Sequence, residues 1–342
     1  MSRCRISRRA RIVVLVCVSF AFLGRVGAAA EPWNVRLVGQ LSHGPYMAVH
    51  VSGHYAYVGG GGSWHSARWG WLDVVDISNP TSPVLVGSIG LPDVVKRVRV
   101  KDGLAYVAAD FSGLLIVDVT NPTSPTLRGS CIGANYAIAV SVSGSFAYIA
   151  GSRWNGTTEI ATLRIIDVSN PSSPTLRVSY DLPIFDYQAY DVFVSGGLAF
   201  VADGSLRIVD VTNPLSPVLR SSWGSGIRNV FVSNGVAYVT TTFGTFACID
   251  VTSPGAPRLL GSYATAGGGG PLYVSGRYAY VGLGNGLHIF DISNPSAPTL
   301  CGFYPAWADV FVSGSLVYVT WGDLLILQFA GAAAANHWQL YR

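Results

Sequence analysis

Short apolar stretches with a period of two recur along the chain, and each runs through a Ser-Gly or Asp-Gly turn into a second apolar stretch. These segments are VHVSGHYAYV at 49, VRVKDGLAYV at 98, VSVSGSFAYI at 140, VFVSGGLAFV at 192, VFVSNGVAYV at 230, LYVSGRYAYV at 272 and VFVSGSLVYV at 310. Alternating apolar and polar residues that end at a glycine turn are typical of paired β-strands. The pattern therefore predicts seven similar hairpins.

A second motif lies between these hairpins. It reads DISNPTSPVL at 76–85, DVTNPTSPTL at 118–127, DVSNPSSPTL at 167–176, DVTNPLSPVL at 210–219, DVTSPGAPRL at 250–259 and DISNPSAPTL at 291–300. An apolar strand of the type LxIVDV ends at each aspartate, a Pro-rich turn follows, and a fourth strand begins after it. Four short strands in about 40 residues, repeated along the chain, predict an all-β fold, a seven-bladed β-propeller with four-stranded blades.

The two ends of the repeat region complement each other. The region begins with an isolated strand of the fourth type, VRLVGQL at 35–41, and finishes with a strand of the third type, LLILQF at 324–329. Gln328 replaces the aspartate there, and no Asn-Pro turn follows. We expect the N-terminal strand to complete the last blade, so that the ring closes without an unpaired edge.

At the segments LLIVDVTNP (114–122), LRIVDVTNP (206–214) and AYVA (105–108), the chain resembles the LVIVD-repeat proteins and, more distantly, YVTN-type propellers. The resemblance covers essentially all of residues 35–329. It implies a bacterial or archaeal propeller that is exported or held at the cell surface, and it carries no catalytic residues over to this sequence.

The first 30 residues are expected to be a secretory signal peptide, because several arginines precede the apolar run at 12–23 and Ala28-Ala29-Ala30 offers a cleavage site. The predicted domains are thus the signal peptide (1–30), the propeller (31–329) and a short C-terminal tail (330–342). We expect an exported protein at the cell surface, outside the cell or in the periplasm, with no transmembrane segment after cleavage.

Charge argues against a nucleic-acid partner. Residues 1–30 contain six of the 22 Lys and Arg residues and none of the 18 Asp and Glu residues, so residues 31–342 carry a net charge of −2. Only two of the basic residues are lysines, Lys96 and Lys101. The basic footprint of a nucleic-acid binder is absent.

The six aspartates that end the third strands are expected to be structural. Aspartate before a Pro-rich turn accepts hydrogen bonds from the backbone N–H groups of that turn. The competing interpretation is a ring of catalytic or metal-binding carboxylates. The three cysteines beyond the signal, Cys131, Cys248 and Cys301, lack metal-ligand spacing and are expected to pack in the core.

Comparison of the seven repeats separates a constant face from a variable one. The connections on the variable face contain insertions at 59–70 in blade 1 and 150–162 in blade 3 and a long crossing at 182–190 into blade 4, which we expect to form a wall around blade 2.

Six tryptophans are predicted to lie in loops of this face, namely Trp64, Trp69, Trp154, Trp223, Trp307 and Trp321. Loop aromatics provide flat surface for sugars or proteins, although they can also cover gaps between blades. The candidate ligand-binding residues are Trp64, His65, Arg68, Trp69, Phe111, Tyr136, Arg153, Trp154, Asp186, Tyr187 and Tyr190.

A second candidate site is a ring at the start of the inner strands, near the mouth of a central channel. Its polar members are Arg97, Asp191, Asn229 and Asp309. These side chains would converge on a small ligand or a cation, or form an ion pair inside a water-filled channel.

Sequence motifs for catalysis, phosphate binding and zinc binding do not occur. The GGGG runs at 59 and 267 are interpreted as flexible linkers, and His43 and His65 alone make a weak metal site. We therefore predict a non-catalytic, monomeric binding module without cofactor or metal, whose partner is a protein or carbohydrate at the cell envelope. A structural envelope component and a polysaccharide-acting enzyme using loop carboxylates remain the alternatives.

Overall fold

The computed structural model describes residues 31–64, 67–132, 136–183, 188–264, 267–306 and 309–331, apart from the side chains of Trp64 and Trp321. The expected signal peptide and most of the expected tail lie outside these residues. The described part consists of strands and turns, and it includes no helix long and apolar enough to cross a membrane.

The described strands, in chain order, are β1 (Val35–Ser52), β2 (Tyr55–Trp64), β3 (Ala67–Asp76), β4 (Val84–Leu91), β5 (Arg97–Lys101), β6 (Leu104–Ala108), β7 (Leu114–Asp118), β8 (Thr126–Cys131), β9 (Ala137–Ser143), β10 (Phe146–Trp154), β11 (Glu159–Asp167), β12 (Thr175–Asp181), β13 (Asp191–Ser195), β14 (Leu198–Ala202), β15 (Gly204–Asp210), β16 (Val218–Ser233), β17 (Val236–Thr241), β18 (Thr245–Asp250), β19 (Arg258–Ala264), β20 (Gly269–Ser275), β21 (Tyr278–Leu283), β22 (Gly286–Asp291), β23 (Thr299–Tyr304), β24 (Val310–Ser313) and β25 (Leu316–Phe329).

These strands form antiparallel sheets with a repeated four-stranded plan, in a propeller-like arrangement. Three sheets have exactly four strands, in the orders β5-β6-β7-β8, β12-β11-β10-β9 and β20-β21-β22-β23. The other two, β24-β25-β1-β2-β3-β4 and β13 through β19, are larger because β1, β16 and β25 each span two predicted strands. We number the four-stranded units 1 to 7 in chain order, starting with the inner half of β1.

The strands at the two ends of the repeat region pair as the sequence predicts. Val35 lies opposite Phe329, Leu37 opposite Leu327 and Leu41 opposite Leu324 in the β1–β25 ladder. The same strand β1 then bends and pairs with β2, so it supplies the outer strand of unit 7 and the inner strand of unit 1. Each innermost strand contacts the innermost strand of the next unit, and β24 contacts β1.

Glycines in the outer strands allow close approach to the next unit's turn. A Cβ atom at Gly87, in unit 1, would lie 2.2 Å from the carbonyl oxygen of Pro122 in the turn of unit 2. At Gly39, in the outer strand of unit 7, it would lie 2.0 Å from the carbonyl oxygen of Pro80 in unit 1. The contact that joins successive units therefore also joins unit 7 to unit 1.

The six turn aspartates have the structural role that the sequence predicts. The Oδ1 atom of each accepts a hydrogen bond of 2.8–3.1 Å from the backbone N–H two residues later. Five of them also pair with an arginine, in the pairs Asp118–Arg128, Asp167–Arg177, Asp210–Arg220, Asp250–Arg258 and Asp291–Arg277. These contacts hold the turns opposite the variable face, which we call the turn face.

The core consists of apolar side chains between adjacent units. For example, Leu72 and Val74 of unit 1 pack with Val98 and Val107 of unit 2. Cys131 and Cys248 are buried and Cys301 is half-buried, in keeping with packing roles. Burial raises the pKa of the Cys248 thiol to about 12.

Candidate functional site

Two extended hairpins rise from the variable face, on units 1 and 3. Strands β2 and β3 pair without interruption from Tyr55–Asp76 to Trp64–Ala67, and β10 and β11 pair from Phe146–Asp167 to Trp154–Glu159. The expectation that residues 59–70 and 150–162 form loops is therefore wrong: most of both insertions continue the strands. Units 1 and 3 flank the short connection of unit 2 at 109–113.

The glycine run at 59–62 is packed strand, and its interpretation as a flexible linker is wrong. A Cβ atom at Gly59 would lie 2.2 Å from a methyl carbon of Val95, and at Gly60 it would lie 2.9 Å from the indole of Trp71. Gly62 lies opposite Trp69 across the hairpin, and its missing side chain leaves room for that indole. Glycine is required here because neighbouring groups occupy the space of a side chain.

Phe111 forms an exposed aromatic surface at the centre of this region. Its side chain is 49% exposed, and the guanidinium carbon of Arg68 lies 4.2 Å from its ring centroid. Arg68 reaches it from the hairpin of unit 1 and donates hydrogen bonds to Asp110 at 2.7 Å and Asp93 at 3.2 Å. Both carboxylates are buried, and the Nζ atom of Lys96 lies 3.5 Å from Asp110. The ring is thus held in place by Arg68, which the two carboxylates fix in turn.

Tyr136 extends this aromatic surface and has a strained backbone. Its ring meets the ring of Phe111 edge-on, with centroids 5.0 Å apart. Its φ of 54° lies in the left-handed region, as does the φ of 41° at Asp110. Burial and then the carboxylates of Asp110 and Glu159 raise the pKa of Tyr136. Strain at a bulky residue is unusual and is concentrated at functional sites.

Trp154 is the most exposed tryptophan among the described side chains, at 64%, and it ends strand β10. The neighbouring Arg153 is held by Asp181 through two hydrogen bonds of 2.8 and 2.5 Å. Phe243, on the second connection of unit 5, is 79% exposed on the same face.

The structure separates Trp69 from Arg68. Consecutive residues of a strand face opposite sides, and the even positions of β3 pack toward unit 2 whereas the odd positions pack toward unit 7. Trp69, which is 44% exposed, therefore faces unit 7, and Arg68 faces Phe111. Strands contain Trp64, Trp69, Trp154, Trp223 and Trp321, so the predicted placement of these five tryptophans in loops is wrong.

Some predicted residues do not join the cluster formed by Phe111, Arg68 and Tyr136, and others lie outside the residues that the structure describes. His65, Asp186, Tyr187 and Trp307 lie outside the described residues, and so do the side chains of Trp64 and Trp321. Tyr190 lies in a different place, where its ring stacks against the guanidinium of Arg228 at 3.7 Å.

The predicted ring at the channel mouth forms a buried ion-pair network. Nη1 of Arg97 lies 2.5 Å from Asp309 Oδ1, and its Nη2 lies 3.8 Å from Asp191 Oδ1. The second oxygen of Asp309 accepts from the backbone N–H of Val49, and that of Asp191 accepts from Val230, both at 3.1 Å. Asn229 instead donates to Thr240 Oγ1. Three of the four residues therefore interact, and the aspartates also link neighbouring units.

A second layer of residues, next to this network along the inner strands, was missed by the sequence analysis. It consists of the variable position in each VxVSG segment, namely His50, Arg99, Ser141, Phe193, Phe231, Tyr273 and Phe311. The five aromatic rings contact one another in the order His50, Phe311, Tyr273, Phe231 and Phe193, with centroids 4.4–5.1 Å apart. Burial and the charge of Arg99 lower the pKa of His50 to about 3, so it stays neutral. The signal in the sequence was that this variable position recurs in all seven VxVSG-type segments.

A histidine–carboxylate pair was also missed. Nδ1 of His43 lies 3.0 Å from Asp73 Oδ2, which also accepts from Tyr46 at 2.7 Å, while Ser88 donates to Oδ1 at 2.5 Å. Asp73 is fully buried and the His43 side chain is 48% exposed. The expected partner, His65, lies outside the described residues, and the described residues contain no group of three or more metal-ligating side chains placed to hold an ion.

Comparison with known families now places this chain. The model of the LVIVD repeat matches residues 43–90, 94–132, 134–182, 188–224, 226–265 and 266–305. The chain belongs to the LVIVD-repeat family. The six matched repeats coincide with units 1 to 6 of this LVIVD-repeat protein, and unit 7, built from both ends of the repeat region, lies beyond the matched residues.

Solved structures support the fold and leave function open. A computationally designed protein, Ika8, is 12% identical with a TM-score of 0.58, over 86% of this chain and 99% of that one. Sqt1 of Saccharomyces cerevisiae is 10% identical with a TM-score of 0.61, over 85% and 98% of the two chains. A functionally unknown protein from Desulfotomaculum acetoxidans DSM 771 is 14% identical with a TM-score of 0.61, over 78% and 89%. No curated protein matches the sequence.

Proposed function

We propose that this LVIVD-repeat protein is an exported, non-catalytic module that binds carbohydrate at the cell envelope through the variable face of units 1 to 3. The observation that carries this proposal is the half-exposed Phe111 ring, which Arg68 and two buried aspartates hold rigidly. A rigid aromatic surface binds at low entropic cost, because few rotamers are lost on contact. Trp154 and Tyr136 enlarge the aromatic area on which sugar rings would stack.

The proposed scaffold is a closed seven-bladed propeller, in which each numbered unit is one blade. Pairing of β1 with β25 supports closure, and so does the contact of β24 with β1. The close approach of Gly39 to Pro80, which repeats the Gly87–Pro122 contact between successive units, also supports it. A closed ring gives the variable face a rigid base, and loops on rigid scaffolds are common binding sites.

Export rests on the arginine-rich start, the apolar run at 12–23 and the Ala-Ala-Ala segment. The proposed mature protein begins near Glu31 and acts as a monomer at the cell surface, outside the cell or in the periplasm. Mass spectrometry of the N-terminus of protein secreted from a bacterial host tests this assignment. An intact Met1 would contradict it.

A polysaccharide-acting enzyme is the second candidate, and the His43–Asp73 pair is the observation that favours it. A buried carboxylate that accepts from Nδ1 orients a histidine whose Nε2 is available to a substrate. Product analysis after incubation with polysaccharides would detect new chain ends with the wild type and fewer with His43→Ala. Equal background release by both proteins would exclude this role for His43.

The binding proposal is tested with a glycan array that includes bacterial envelope polysaccharides, probed with residues 31–342. A Phe111→Ala/Trp154→Ala variant should lose binding at least tenfold. The matched control is Leu215→Ala/Leu259→Ala, which removes two exposed apolar side chains away from the variable face. Equal loss in both variants would contradict the proposed surface. If the wild type binds no glycan, a protein ligand or a structural role replaces the proposal.

A further inference from the structure

A cavity of about 360 Å³ opens at the centre of the variable face, over the mouth of the channel. Its described lining includes Arg97 and Asn229, from the inner strands of units 2 and 5, and residues 268–271 before and within β20. A larger cavity of about 640 Å³ lies elsewhere, beside residues 32–36 and 328–330 at the paired ends of the repeat region. The central cavity adjoins the proposed binding face.

Charged and aromatic side chains lie beneath this cavity. Arg97 is tied to Asp309 of unit 7 and lies 3.8 Å from Asp191 of unit 4, so its side chain reaches across the channel mouth. One layer below, five aromatic rings form a continuous arc from His50 to Phe193. These side chains lie in the channel below the cavity, so we expect a ligand to enter from the variable face.

The wall provides stacked and hydrogen-bonding groups in fixed positions. The guanidinium of Arg228 lies 3.7 Å from the ring centroid of Tyr190, and its Nε donates to Thr242 Oγ1 at 2.8 Å. Asn229 Nδ2 donates to Thr240 Oγ1, which donates to Gly270 O at 2.9 Å. This chain of bonds fixes the amide of Asn229 and leaves its oxygen as an acceptor. Donors and an acceptor side by side suit hydroxyl groups, each of which both donates and accepts.

The second glycine run shapes the remaining side. A Cβ atom at Gly269 would lie 2.6 Å from the carbonyl oxygen of Thr241 and 2.7 Å from the Cβ of Thr240. Only glycine permits this approach, so the interpretation of the run at 267–270 as a flexible linker is wrong. Gly267 and Gly269 are thus close-packed backbone, and the run keeps this part of the lining free of side chains.

From these features we infer that the central cavity receives the terminal sugar unit of a glycan whose following units lie over Phe111 and Trp154. This inference rests on the proposed carbohydrate-binding function and specifies its mode as recognition of a chain end. Its volume of about 360 Å³ lies at the lower end of the range of about 300–1,000 Å³ that is usual for ligand sites, so it suits a single sugar unit rather than several.

The test uses cello-, chito- and xylo-oligosaccharides of increasing length together with glucose, N-acetylglucosamine and xylose. Isothermal titration calorimetry compares the wild type with Ile138→Trp, which fills the cavity from its lining, and Thr242→Val, which removes the hydroxyl that holds Arg228. The control is Leu215→Trp, which adds the same bulk at an exposed position on the turn face. Circular dichroism establishes that all variants are folded.

We expect the free monosaccharide to compete with its oligosaccharide in the wild type. Ile138→Trp should weaken oligosaccharide binding at least tenfold, Thr242→Val several-fold, and Leu215→Trp less than twofold. Unchanged binding by Ile138→Trp together with loss in Phe111→Ala/Trp154→Ala would overturn end recognition and leave the binding face in place. No binding of any of these sugars by the wild type would overturn the inference, while the glycan array decides the carbohydrate proposal separately.

Discussion

The guanidinium of Arg97 lies 2.5 Å from the carboxylate of Asp309, across the channel mouth from unit 2 to unit 7. The same carboxylate accepts from the backbone N–H of Val49 in unit 1. The buried side chain of Asp309 therefore connects units 7, 2 and 1. Units 7 and 1 are the two that meet where the ends of the repeat region pair.

Replacing Asp309 by Asn should destabilise the fold strongly. Removing one partner of a buried ion pair leaves the other charge uncompensated, at a cost of about 3–5 kcal/mol. Denaturant unfolding monitored by tryptophan fluorescence measures the change. The control Arg128→Gln breaks an exposed ion pair with Asp118 and should cost at most about 1 kcal/mol. Similar losses in the two variants would contradict a special role for the buried network.

Gly39→Ala should also destabilise the protein, because the new methyl group would overlap the carbonyl oxygen of Pro80, 2.0 Å away. Forced overlap of this kind costs about 1–3 kcal/mol. Gly90→Ala is the matched control, since a Cβ there meets nothing within 4 Å. Thermal unfolding should separate the two variants clearly. A Gly39→Ala protein as stable as Gly90→Ala would argue against tight closure between units 7 and 1.

Because the backbone at Tyr136 is left-handed, we expect glycine to be tolerated there better than alanine. With φ at 54°, Tyr136→Gly should be more stable than Tyr136→Ala by about 1 kcal/mol, because alanine in the left-handed region carries a steric cost. Both variants should lose glycan affinity, since both remove the ring that contacts Phe111. At Phe111 itself, where φ is not positive, the glycine variant should be the less stable one. The opposite order at Tyr136 would show that its backbone relaxes in solution.

Stability should fall in acid partly through the turn aspartates. Hydrogen bonds from Ser169 and Arg177 lower the pKa of Asp167 to about 2, against about 3.9 in an unfolded chain. A lowered pKa in the folded state means that the contribution is complete above about pH 4 and is lost as the pH falls toward 2. Asp167→Asn should therefore melt below the wild type at pH 7, and the difference should shrink near pH 2. Asp102→Asn, in the turn between β5 and β6, serves as control, and a constant difference for Asp167→Asn would contradict the linkage.

The sequence predicts the repeated strands well because their alternation is local. Pairing of residues 35–41 with 324–329 was also predictable, since each end lacks the strand type that the other supplies. The turn aspartates were predictable for the same reason, as each bonds to a backbone group only two residues away.

The binding surface was less predictable because it depends on side-chain direction and on distant contacts. The tryptophan at position 69 and the arginine at position 68 are neighbours in the sequence, yet the strand sends them to opposite sides of the hairpin. Glycine runs resemble linkers in sequence, and only the positions of Val95 and Trp71 reveal why side chains are excluded. His43 and Asp73 are 30 residues apart along the chain and lie on β1 and β3, which meet only because both strands pair with β2.

Hydrogen exchange with and without a bound oligosaccharide tests the binding face most directly. The account predicts protection of amides at 109–113 and in the halves of the β2–β3 and β10–β11 hairpins nearest to their tips. It predicts no change at the Asn-Pro turns on the opposite face. Protection confined to those turns, or to the outer strands, would contradict it.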